Sequence, residues 1–171
     1  MATAEGGCQM EFDNTVIAKR YMEEICSRGN FAMLEELVAK DVILRDSVMP
    51  ERRGHDHVKA TINEFRTAFP DLVFKIDDVL STTSDRVVVR WTVRGTHRGS
   101  LMGLAATGRP ATFKGIDILK IVDRTVREDD TYWDAYGLFQ QLGVLPRLDE
   151  ISPAKPSITV SNQTGSHPAL R

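Results

Sequence analysis

An α+β fold is expected for this chain: a cone-shaped half-barrel in which three N-terminal helices and a curved, mainly antiparallel sheet enclose a pocket. Three observations predict it. Helix-spaced apolar residues fill the segment before Pro70, period-two alternation takes over after it, and the late strands are joined by hairpin-length turns.

The elements follow in order. Residues 13–28 read as a helix with Asp13 as cap, Ile17, Tyr21 and Ile25 recurring every four residues, and Gly29 as stop. Asn30 is placed to cap a short second helix whose stripe is Phe31, Leu34, Leu37 and Val38. Val42–Asp46 reads as a strand, and Pro50 and Gly54 mark a loop. A third helix covers 56–69, with Val58, Ile62, Phe65 and Phe69 on one face and Pro70 beyond its end. Leu72, Phe74 and Ile76 then alternate with Val73, Lys75 and Asp77. In Asp85–Arg98, the odd positions Val87, Val89, Trp91, Val93 and His97 share a face. Ala111–Val122 is the next strand, Asp123-Arg124 a tight turn, Val126–Trp133 the last strand, and 135–142 a closing helix before Gly143 and Pro146.

With 171 residues, 42% hydrophobic and 27% charged, the chain has the composition of one globular domain with tails. Residues 1–11 read as a flexible lead-in, 12–146 as the folded domain and 147–171, with Pro153, Pro156 and Pro168, as a disordered tail. A net charge of −2 favours neither nucleic acid nor an anionic membrane as partner. No apolar run is long enough to span a bilayer, and Met1–Met10 has no apolar stretch of the signal-peptide kind. Cys8 and Cys26 form no CxxC pair, and with these features they point to a cytoplasmic, reducing location.

Asp117 stands out. It shares a strand face with Phe113, Gly115, Leu119 and Ile121, and that face is otherwise apolar. A carboxylate taken from water there must be hydrogen-bonded, paired or protonated, and its raised pKa suits it to proton transfer. His97 is a candidate partner, with loop ordering as its structural alternative. Asp129 and Thr131 share a face with Trp133, so an inward face would add a second carboxylate and a hydroxyl; an acidic solvated turn at Glu128-Asp129-Asp130 is the alternative. Trp91, Tyr132, Trp133, Phe65 and Phe113 offer aromatic walls for a planar ligand. Asp134 is placed to cap the last helix. His55-Asp56-His57 lies at helical spacing that does not converge, and no third ligand joins it, so no metal is expected. Arg52-Arg53 can meet an anionic substrate at the cavity mouth. The glycines Gly99, Gly103 and Gly108 read as a mobile lid over the cavity.

Four features together resemble the SnoaL-like polyketide (ester) cyclase family of the nuclear-transport-factor-2-like superfold. They are the Gly95-Thr96-His97-x-Gly99 step, the Gly103 to Thr107-Gly108-Arg109 loop, the Gly115-x-Asp117 strand, and the ending from Trp133-Asp134 to Gln140-Gln141-Leu142-Gly143. The resemblance covers about 13–146. It implies a cone-shaped α+β barrel that forms homo-oligomers, dimer or tetramer, and uses neither metal nor organic cofactor. Members close polyketide rings with a carboxylate acid/base helped by an imidazole. Aligned from the Gln-Gln-Leu-Gly ending, the carboxylate position falls on Thr131 and the imidazole position on Asp117, so this chain departs from the aldol cyclases at both. The superfold also hosts isomerases, hydrolases, cofactor-free hydroxylases and binding proteins.

The expected function is therefore a cofactor-independent cyclase or isomerase acting on a small hydrophobic, polyketide- or terpenoid-like metabolite. Asp117, His97 and Asp129 are its candidate acid/base groups, and Trp91, Thr131, Trp133, Phe65 and Phe113 line the substrate site. The alternatives are a non-catalytic carrier of a hydrophobic ligand, or a related epoxide hydrolase or hydroxylase activity.

Overall fold

A computed structural model describes residues 14–82, 85–147 and 149. The expected lead-in 1–11, the Asp13 cap and all but the first part of the expected tail lie outside the described residues.

The first helix, α1 (Asn14–Arg20), runs on as a π-helix over Tyr21–Ser27. The wider turn shows in the backbone bond from Arg28 N–H to Glu23 O, five residues back. A short 3-10 turn at Phe31–Met33 leads into α2 (Leu34–Leu37). Asn30 does not cap this helix; its side-chain amide donates to Glu24 Oε2 instead, at 3.1 Å. The first strand, β1 (Val38–Asp46), begins four residues earlier than its polar Lys40-Asp41 suggested. Pairing with the last strand supplies the ladder that local sequence does not announce. A two-residue strand, β2 (Arg52–Arg53), precedes α3 (His55–Ala68). Then come β3 (Val73–Ser81), β4 (Arg86–Thr96), β5 (Pro110–Val122), β6 (Thr125–Trp133) and α4 (Ala135–Gln141). Asp134 does cap α4, accepting from Gly137 N–H at 2.8 Å.

The six strands form one sheet in the order β2-β1-β6-β5-β4-β3. All neighbours are antiparallel except β1 and β6, so the sheet is mixed, and it does not close into a barrel. The β5–β6 turn places Asp123 and Arg124 at φ 50° and 62°, the two-residue hairpin geometry that matches strand twist. Helices α1 and α3 lie against the concave face, and Ile25, Leu34, Leu37, Phe69, Leu119 and Leu138 anchor the core.

A bulge in β6 decides which of its acids faces inward. Lys120 pairs with Glu128 but Ile121 pairs with Val126, leaving Arg127 as an extra residue. Val126 and Asp129, an odd number of residues apart, are therefore both buried. Glu128 and Asp130 turn outward, where both meet Arg45, and where Lys120 reaches Glu128.

Candidate active site

The concave face and the helices surround a cavity of about 140 Å³. Its walls are apolar and aromatic: Met22 comes from the π-helix, Val58 and Phe65 from α3, Phe74 from β3, Trp91 and Val93 from β4, Phe113 from β5 and Trp133 from β6. Phe65, Phe113 and Trp133 form a cluster with ring centroids 5.8–6.0 Å apart. Trp91 meets Phe113 edge to face at 6.1 Å.

Two carboxylates and a hydroxyl come from the sheet side. Asp117 and Asp129 both line the cavity and are only 5% and 6% exposed. Thr131 stands opposite Asp117 in the β5–β6 register and opposite Asp46 in the β1–β6 register, so Asp46, Thr131 and Asp117 form a row across three strands. Asp117 Oδ1 accepts from Trp91 Nε1 at 3.2 Å. Asp129 Oδ2 accepts from the Tyr21 hydroxyl at 2.8 Å, and its Oδ1 from Thr131 Oγ1 at 3.3 Å. Asp46 accepts from Trp133 Nε1 at 3.1 Å and from Val48 N–H at 2.8 Å.

The two buried acids differ. Burial, then the charge of Asp129, pushes the Asp117 carboxyl well above the usual carboxylate range. Burial also raises Asp129, but the Tyr21 and Thr131 hydroxyls stabilise its anion and hold it to about 6. Of the two, Asp117 therefore holds its proton more tightly and Asp129 ionises first. Burial and the adjacent carboxylates raise Tyr21 well above its ordinary value, so its phenol stays a donor.

Gly115 explains how Trp91 reaches Asp117. The two residues pair across β4 and β5, and a Cβ on Gly115 would sit 2.4 Å from the Trp91 ring. The missing side chain is the space the indole occupies.

All five residues expected to bind substrate, Trp91, Thr131, Trp133, Phe65 and Phe113, line this cavity. His97 is not brought to it. The ring lies past the end of β4, 0% exposed, against Phe69 at 5.4 Å between ring centroids. Its Nδ1 accepts from Thr107 N–H at 3.2 Å, which leaves the ring proton on Nε2; that atom has no partner among the described residues. Burial lowers its pKa, so the ring stays neutral. Its bonds order the loop rather than meeting Asp117. That loop is also not a lid over the cavity. Arg98 and Gly99 N–H both donate to Ala68 O, Met102 N–H donates to Glu64, Leu101 is buried, and no residue from 98 to 109 lines the cavity. Tyr132 points to the opposite, outer face and is 54% exposed. His55 Nε2 lies 2.9 Å from Val38 O, and no group of three potential metal ligands occurs among the described residues.

Among the cavity residues that the sequence does not mark as site groups are Tyr21, Asp46 and Cys26. Tyr21 had a helix-stripe signature that reads as core. Only the packing of the first helix against β6 and the parallel β1–β6 pairing bring Tyr21 and Asp46 to the acids.

A cone-shaped α+β cavity with a buried acid pair is the class that fold and site define. The family model for SnoaL-like polyketide cyclase matches residues 16–142, and the chain belongs to that family. Two aklanonic acid methyl ester cyclases, DnrD of Streptomyces peucetius and DauD of Streptomyces sp. strain C5, are each 29% identical over 94 residues, 55% of this chain. The matches span 65% and 58% of those relatives, less than two thirds of their length. Among solved structures, a protein of Jannaschia sp. CCS1 provisionally assigned as a SnoaL-like polyketide cyclase superposes with a TM-score of 0.70 at 18% identity. It covers 78% of this chain and 93% of that one, a likeness of fold alone. AclR of Streptomyces galilaeus, provisionally assigned as a hydroxylase, gives 0.67 at 25% identity, covering 78% and 87%. No helix among the described residues is long and apolar enough to cross a membrane.

Proposed function

We propose that this protein is a cofactor-independent cyclase or isomerase of secondary metabolism that moves protons on a small, planar, hydrophobic, polyketide-like substrate. The observation that carries this reading is the buried pair Asp117 and Asp129, unequal in proton affinity, lining an aromatic cavity. Proton transfer near neutral pH needs a base that is ionised and an acid that is not. The two aklanonic acid methyl ester cyclases support the reaction class.

In this mechanism Asp129 takes a proton from carbon next to a substrate carbonyl, and the Tyr21 and Thr131 hydroxyls hold its carboxylate in place. The resulting enolate carbon attacks a second carbonyl of the same chain, forming the ring C–C bond. Asp117 delivers its proton to the new alkoxide. The proton on Asp129 then returns to Asp117 through Thr131, which stands between them, and the pair is reset. Confinement in the cavity supplies the proximity that ring closure requires. His97 acts from outside the cavity, by ordering the loop after β4.

Asp117→Asn is expected to keep the fold and ligand binding while lowering turnover by about 10² or more. Product formation from a panel of linear polyketide acids and their methyl esters, followed by mass spectrometry, tests it; undiminished turnover would remove Asp117 from the mechanism. A panel member bound tightly but recovered unchanged would instead favour a carrier. A hydroxylase is the second reading, favoured by AclR; it requires oxygen consumption with turnover, which an oxygen electrode reads directly. The protein is also proposed to be a cytoplasmic homodimer or tetramer, and light scattering at micromolar concentration showing only monomer would exclude that assembly.

A further inference from the structure

The corner where β1, β2 and α3 meet holds three arginines with different surroundings. Arg45 contacts Glu51, Glu128 and Asp130, at 3.1, 2.7 and 2.8 Å. Arg53 is exposed and pairs with Glu51 at 2.7 Å. Arg52 alternates with it along β2, stands opposite Leu44 and lines the cavity. It is half-buried, yet no carboxylate among the described residues lies within ion-pair distance of it. Its only hydrogen bond among the described residues goes to Met49 Sδ, a weak acceptor for a five-donor guanidinium. The nearest acid in sequence, Glu51, is already engaged by Arg45 and Arg53. The cavity's other arginine with no carboxylate partner among the described residues, Arg66, has a structural task. It donates to Ser27 O and packs on Gly29, closing the end of the first helix.

We infer that Arg52 is an anion subsite of the cavity, and that the substrate is an aromatic or polyketone body carrying a carboxylate at one end. This rests on the proposed reading of the cavity and adds to it the chemistry of the substrate's outer end. A planar guanidinium forks onto a carboxylate through two parallel N–H donors, which fixes orientation as well as adding affinity. Anchored at Arg52, a flat body extends between Phe65, Phe113 and Trp133 and places its far carbonyl toward Asp117. Asp46 faces the same cavity, but its oxygens already accept from Trp133 and Val48. It forms no ion pair with Arg52.

The test uses a matched pair of probes, 2-naphthoate and its methyl ester, titrated calorimetrically into the full chain at pH 7.5 and low salt. Quenching of Trp91 and Trp133 fluorescence reports cavity occupancy. The acid is expected to bind at least about tenfold more tightly than the ester. Arg52→Gln is expected to erase that preference and leave ester affinity within about twofold. Arg52→Lys is expected to retain part of it, because it keeps the charge and loses the fork. Equal affinities in the wild type, or a preference that survives Arg52→Gln, would overturn the subsite while leaving the acid-pair mechanism standing. If neither probe binds or quenches, the aromatic cavity reading falls, and the subsite with it.

Discussion

Asp117 and Asp129 are the same side chain in two environments: burial and the neighbouring Asp129 charge raise Asp117, and hydroxyl donors moderate the effect of burial on Asp129. Asp117 has an indole N–H, whereas Asp129 has two hydroxyls. Donors to a carboxylate favour its ionised form, so removing one should make Asp129 harder to ionise. Tyr21→Phe is accordingly expected to shift the acidic limb of the pH–rate profile upward from about 6, the value at which Asp129 ionises. A profile in Tyr21→Phe that overlays the wild type would separate Tyr21 from the base. At His97 the same reasoning yields the opposite outcome. A neutral ring with its Nδ1 bonded to the loop backbone has a positioning task, so His97→Asn should lower stability without moving the pH profile.

Two local irregularities place the site. The π-turn at Tyr21–Ser27 carries Tyr21, Met22 and Cys26 on the side of the helix that lines the cavity. The β6 bulge turns Asp129 inward and its neighbours outward. Gly115 is a third local device, since it makes room for the Trp91 ring. Gly115→Ala is expected to push the indole off Asp117 and destabilise the protein by about 1–3 kcal/mol, the usual range for overpacking a filled site. The tryptophan emission maximum should shift with it; a variant with native stability and emission would show that the ring has another resting place.

The whole molecule tolerates a buried carboxyl pair, and its pH dependence should show it. Asp129 titrates at about 6 when folded against 3.8 as a free side chain. The folded state therefore holds a proton that the unfolded chain has released, and stability falls as pH rises between those values. The loss is on the order of 3 kcal/mol and is complete above the folded pKa. Outward acids such as Glu128, held low by Arg45 and Lys120, act in the reverse sense, gaining stability as pH rises, but solvent screens them. Comparing Asp129→Asn with the wild type isolates the buried term. The variant's melting temperature is expected to gain on the wild type from pH 4 to pH 7, and a constant difference across that range would refute the shifted pKa.

Much of this was legible in one dimension. The apolar face of β5 announced a buried Asp117, and the face shared by Asp129, Thr131 and Trp133 was visible, though whether it turned inward was not. Alternation and helical spacing are properties of neighbours along the chain, so burial, element type and the aromatic wall could be read from them. What the fold alone decided are meetings between distant segments. Tyr21 reaches Asp129 across 108 positions, Asp46 joins the row through a parallel pairing, and His97 turns toward Thr107 because the strand ends before it. Periodicity carries no information about which strand lies beside which, and a single bulge reverses the inward set; those choices belong to the packed sheet.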